Sequence, residues 1–389
     1  MLKRSVGYFF ILIIIFSSCK GDRPDQILLN GIRLKEIKKI EFGNRIGDTV
    51  LSKFIKPINV INILAKDSLY VSNNRKILPY EHKYIFGDFQ LSTLLILDSN
   101  GNEISKIGDL GSAYDQYISI EDFNIDYANN QIKVFSSDAQ TLYTYTTDGK
   151  FIRKDKLDFY GSRFAVLDSE HLIFFLNQNT NKKSGKYNIL VTNLNGKIIQ
   201  RLFPISKLPH LMVAYSGFIQ NNDSSILYSE PFSDSIYEIK NNTYGVKYYL
   251  PFREKVFKTT KDMSLEAIQE GTTKYSWIAG PIYESNEYIY LRYKEGKKIL
   301  STTVNKLSGQ AINVGVLNNK IIDNLLLNIC GEKDNIFYSI IDFDMVYPIL
   351  QLTHSDTLEI QKFEKKLFYK VSKDFPFKNP VIFAFKFTF

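Results

Sequence analysis

The stretch LILDSNGNEISKIGDLGSAYDQYISIEDFNIDYANNQIKVFSSDAQTLYTYTTDGKFIRK, residues 95–154, decides the fold. It is a chain of short apolar or alternating runs cut by turn residues, the pattern of half-buried strands. One run ends in Ser99, Asn100 and Gly101, and another ends in Thr147, Asp148 and Gly149. Each glycine leads at once into a further strand-like segment, EISKIG (103–108) or FIRKDKL (151–157). A strand, a tight turn closed by glycine and a returning strand make a hairpin, with glycine supplying the positive φ.

The same arrangement continues downstream. ILVTNLNG (189–196) precedes KIIQRLF (197–203), and Gly245 follows the run SIYEIKNN (235–242). Gly101, Gly149, Gly196 and Gly245 therefore recur roughly every 48 residues, the length of one four-stranded propeller blade. After Gly245 the spacing loosens. Gly296 roughly continues it, but the next turn resembling the first three is LSG at Gly309, so later blades are expected to carry inserted loops. The 29 Phe and 25 Tyr favour strands, and the best helix candidate is SLEAIQE (264–270).

With these residues in view, 95–154 resembles the bacterial six-bladed β-propeller lipoproteins, which are related in shape to NHL-repeat and TolB-like propellers. The shared pattern is a strand, an Asp-x-x-Gly turn, Ile-Gly, a Gly-rich loop and a short acidic-aromatic segment, here EDFNID (121–126). DSIYEIKNNTYGVKYYLPF (234–252) resembles another blade, and NPVIFAFKF (379–387) resembles the closing strand. The loop GDLGSAYDQY (108–117) lacks the Gly-Pro often found there. The resemblance implies a fold and a location, and no chemistry.

The N-terminus carries an address. Lys3 and Arg4 precede an apolar run from Val6 to Phe16, then Ser17, Ser18 and Cys19. This is a secretory signal layout. The small pair before Cys19 resembles a lipobox, although Phe16 stands where Leu is commoner. The expected product is cleaved after residue 18, lipidated at Cys19 and tethered through residues 19–30 to a single domain over 31–389. The apolar run is shorter than the roughly 20 residues that span a bilayer. No Asp follows Cys19 directly, and Lys20 with Asp22 resembles a surface-export signal, so the outer membrane is expected with its face left open.

Composition narrows the function classes. The apolar fraction of 44% is enough for a core, and the net charge of +8 is scattered rather than clustered. Short groups such as Lys182–Lys183 and Lys297–Lys298 read as solvated turns, so no nucleic-acid partner is expected. With Cys19 acylated, Cys330 is alone and is expected as a buried thiol. His82, His171, His210 and His354 show no metal-ligand spacing, so neither metal nor cofactor is expected. There is no GxSxG, P-loop or GxGxxG at a strand-helix junction, and catalytic residues are unassigned. Asp98, Asp148 and Asp168 read as turn acids bonded to their own backbone.

Two longer connections are the candidate binding loops: 204–218, with His210 and Tyr215, and 257–277, with Tyr275 and Trp277. Against this stands the reading that Trp277 and Met212 merely pack. The expectation is an all-β, six-bladed propeller acting as a membrane-anchored, non-enzymatic binding module for an envelope protein, peptide or glycan. The alternatives are a lyase or hydrolase working at the mouth of the central channel, and a structural subunit of an envelope complex.

Overall fold

The structure is a computed structural model. It describes residues 30–31, 38–39, 54–66, 75–111, 113–205, 217–220, 225–230, 232–240, 243–252, 264–315, 329–341 and 379–389. Six antiparallel sheets form a ring, a six-bladed β-propeller. Blade 1 comprises Arg75–Tyr80, Lys83–Asp88, Thr93–Asp98 and Glu103–Lys106, from the axis outward. Blade 2 comprises Asp122–Asp126, Gln131–Ser136, Thr141–Thr146 and Phe151–Lys156. Blade 3 follows with Arg163–Val166, His171–Phe175, Tyr187–Asn193 and Ile198–Pro204. Blade 4 holds Gly217–Gln220, Ile226–Ser229, Ser235–Lys240 and Thr243–Tyr249, and blade 5 holds Ser276–Glu284, Tyr288–Glu295, Lys298–Asn305 and Ala311–Gly315.

Blade 6 closes the ring with strands from both ends of the chain. Ile329–Lys333, Ile336–Ile341 and Val381–Phe387 are completed by Ile55–Asn62, with Val381 opposite Asn62 and Phe387 opposite Ile55. The C-terminal run is thus the closing strand that its sequence suggests. Phe383, Phe385 and Phe387 are all buried in it.

The burial pattern explains the strand sequences. Blade 2's innermost strand is buried throughout, whereas its outermost strand is mostly half-buried or exposed. That inner strand alternates: Phe123 and Ile125 enter the apolar contact between sheets, while Asp122, Asn124 and Asp126, equally buried, are held by hydrogen bonds. The core lies between successive sheets. Phe123, Ile125 and Val134 of blade 2 pack with Ile85, Leu94 and Ile96 of blade 1. Phe135 and Leu142 pack with Phe164, Leu172 and Phe174 of blade 3. Ile77, Phe86 and Leu95 pack with Tyr338, Ile340 and Ile382 of blade 6.

The repeat glycines behave as expected at Gly101, Gly149 and Gly196, with φ of +88°, +87° and +81° between third and fourth strands. Gly309 takes the same place in blade 5. Gly245 does not: it lies inside the strand Thr243–Tyr249 of blade 4, opposite Glu238. Gly296 turns the second strand of blade 5 into its third, one hairpin earlier than the repeat requires. The helix expected over 264–270 runs from Leu265 to Lys274, capped by Ser264, whose side chain accepts from Ala267 N. Cys330 is free and buried, and burial pushes its thiol up to about 12.

Candidate functional site

Antiparallel order within each sheet separates the two ends of the ring. First-to-second and third-to-fourth strand turns lie at one end, the hairpin end. Blade-to-blade crossovers enter each innermost strand at the other, the crossover end, beside the second-to-third turns.

Polar bonds hold the heads of the innermost strands level at the crossover end. Lys76 Nζ of blade 1 donates to Asp122 Oδ1 at 2.9 Å, Phe123 O at 2.7 Å and Asn124 Oδ1 at 2.8 Å in blade 2. Asp122 Oδ2 accepts from Phe164 N of blade 3 at 3.0 Å, and Asn124 Nδ2 donates to Phe164 O. Burial holds the Lys76 ammonium below its usual range, opposed by Asp122. Arg163 of blade 3 donates to Glu121 O and lies over the Phe89 ring, 4.7 Å from its centroid. Burial raises the Glu121 carboxyl, which accepts from Ser137 N and, at 3.0 Å, from Ser119 Oγ. These groups satisfy one another, so they set the shape of this end.

The crossover from blade 1 to blade 2, residues 107–121, is built around one buried ring. Tyr117 is fully buried and donates to Ile107 O at 2.9 Å. Tyr117 N bonds Asp109 O, Gly111 N bonds Tyr117 O, and Ala113 N bonds Gln116 Oε1 at 3.0 Å. On this frame the loop presents Leu110 (56% exposed), Tyr114 (66%) and Ile118 (60%). Tyr114 is held by Phe151 on its edge at 5.5 Å and by Lys154 Nζ at 4.4 Å from its centroid. Leu91 and Tyr160 are exposed in neighbouring connections of the crossover end, whereas Tyr114 lies against the outermost strand of blade 2 on the outer wall.

The expected lipidation residue Cys19 and the candidate binding residues His210 and Tyr215 lie outside the described residues. Tyr275 is half-buried as the helix C-cap, its N–H bonding Gly271 O. Trp277 is only 6% exposed and packs against Phe232 at 5.0 Å, so its ring serves the blade 4–blade 5 contact. Sequence reasoning passed over Leu110, Tyr114 and Ile118. Their signal is three large apolar residues four apart in a segment that Gly108, Gly111 and Ser112 keep from reading as a helix.

At the hairpin end, Glu284 accepts from Lys247 Nζ at 2.8 Å, Lys306 Nζ at 2.7 Å and Tyr248 Oη at 2.6 Å, which ties blade 4 to blade 5. Burial opposes ionisation, but the lysines, Lys247 foremost, and Tyr248 outweigh it and hold this carboxylate below its usual range. In blade 6, burial raises Glu332 to about 8, opposed by the hydrogen bond from Asn335 N at 3.0 Å. His171 pairs with the turn acid Asp168 at 2.8 Å. Among the described residues, no group of three or more His, Cys, Asp or Glu is placed to hold a metal ion.

A family model described as a domain of unknown function, DUF4934, matches residues 37–386. The chain belongs to this family. No curated protein matches it. This DUF4934 chain is similar to a protein described as exported, from Bacteroides fragilis NCTC 9343, at 14% identity and a TM-score of 0.73, covering 91% of this chain and 100% of that one. It is also similar to a member of the DUF4221 family from Bacteroides vulgatus, at 11% identity and a TM-score of 0.54, covering 86% and 98%. At these identities the likeness is one of fold.

Proposed function

We propose that this chain is a cell-envelope binding propeller, anchored through a lipid on Cys19, that captures a protein or peptide partner at the crossover end of its ring. The observation that carries the reading is the 107–121 loop. Large apolar groups at a partner site cost least when they are already ordered. Here Tyr117 and the loop's own hydrogen bonds fix the frame from which Leu110, Tyr114 and Ile118 project. Aromatic and aliphatic side chains held this way are the usual anchors of protein interfaces. The envelope location is supported by the signal-like N-terminus and by the likeness to a protein described as exported. The resemblance to lipoprotein propellers supports the anchor.

The test uses the mature chain as bait against envelope proteins and a glycan panel, beside Ile118→Asp and Tyr114→Ser variants. The expected result is a retained protein whose binding falls at least tenfold with either substitution. Retention of a glycan instead, or of a protein indifferent to both changes, overturns the reading. The anchor is tested separately by mass measurement of the N-terminal peptide from membranes. An acylated Cys19 is expected, and an unmodified, membrane-free chain would sink it.

A further inference from the structure

The N-terminal segment does not lead straight into its blade. Ile55–Asn62 belongs to blade 6, but Asn30–Gly31 and Lys38–Lys39 pair in parallel with the outermost strand of blade 4. Asn30 stands opposite Thr243 and Gly31 opposite Tyr244, while Lys38 and Lys39 stand opposite Tyr248 and Tyr249. The chain is therefore pinned to one edge of the ring before it enters the propeller proper.

Building on the anchor reading above, we propose that the outer edge of blade 4 is the side of the ring that faces the lipid surface. The argument is one of reach and charge. From Cys19 to Asn30 the chain can extend at most about 40 Å. The lipidated residue is thus tied close to blade 4 and away from blade 1, which lies across the ring. Lys38 and Lys39 stand in register with Tyr248 and Tyr249, of which Tyr249 is exposed, and the sequence from 33 to 39 carries Arg33, Lys35, Lys38 and Lys39 against one acid, Glu36. Basic residues near an anionic leaflet are each worth about 1 kcal/mol of attraction. Held this way, the partner loop of blades 1 and 2 projects away from the membrane.

The test couples the full mature chain through Cys19 to a maleimide lipid in phosphatidylcholine–phosphatidylglycerol vesicles. Cys330 is buried and does not compete. A donor dye is attached by azide chemistry at Tyr249, on blade 4, or at Ile104, on the exposed outer strand of blade 1. Energy transfer to an acceptor on the lipid headgroups is then compared. At least twofold greater transfer from position 249 is expected. Equal transfer, or greater transfer from position 104, overturns the orientation. Because coupling is chemical, absence of natural acylation at Cys19 would defeat the anchor reading while leaving this comparison to stand or fall separately.

Discussion

Gly101, Gly149 and Gly196 answer two demands, of which only one can be read from sequence. Each has a positive φ that closes a hairpin. Each also lies against the preceding blade: a Cβ at Gly101 would overlap the Asn62 carbonyl oxygen, and one at Gly196 would overlap the Leu157 side chain. Gly309 has the φ without the neighbour. Gly309→Ala is expected to cost about 1 kcal/mol for the backbone conformation alone. Gly101→Ala should cost about 2–4 kcal/mol, since rigid backbone must move as well. Urea unfolding of both variants checks this, and equal losses would contradict it. The turn chemistry was legible because φ is a local matter. The packing partner was not, because it sits some forty residues away in a neighbouring sheet.

Glu332 offers a second test at this scale. Its folded value of about 8 lies above the ordinary 4.5, chiefly through burial. The folded state then binds the proton more tightly than the unfolded chain does. Its contribution is fully present below the unfolded value and is lost as pH rises through the folded one. Glu332→Gln keeps an acceptor for Asn335 N and removes the titration. Relative to the parent, this variant should gain stability steadily between pH 5 and pH 9 in urea melts. A difference independent of pH would refute the assignment.

Among elements, the joins between blades are the informative ones. Lys76, Asp122, Asn124 and the Phe164 backbone link three innermost strands through buried polar bonds. Lys76→Met leaves the Asp122 carboxylate buried without its cation and is expected to cost about 3–5 kcal/mol. Adding Asp122→Asn should cost less than the two single changes together, because they share one interaction. A double-mutant cycle in urea measures the coupling, and strict additivity would deny the link. The clasp of blade 6 was legible as a closing strand from the resemblance of NPVIFAFKF (379–387) to that of lipoprotein propellers. Its pairing with Ile55–Asn62 was not, since nothing local marks that segment as an outer strand. The helix was legible as SLEAIQE (264–270), but it runs on through Gly271, Thr272 and Thr273, which propensity alone would leave out.

For the whole molecule, the repeat length and the turn chemistry carried the ring, and regularity failed where chemistry changed. In blade 4 Gly245 lies inside a strand, opposite Glu238, so it mimicked the period without closing a turn. The candidate site was legible only in part. The two long connections singled out from sequence lie largely outside the described residues, and Trp277 at the end of one is spent on packing against Phe232. The loop that presents exposed apolar groups is ordered by Tyr117, whose bonds to distant carbonyls no sequence window reveals. The most direct measurement is photo-crosslinking in intact cells, with a benzophenone residue at Ile118 or Tyr160 of the crossover end, or at Leu307 of the hairpin end. Discrete protein adducts from positions 118 and 160, and none from 307, are what a crossover-end binding propeller predicts. Adducts from 307 alone, or none from the crossover end, would contradict it.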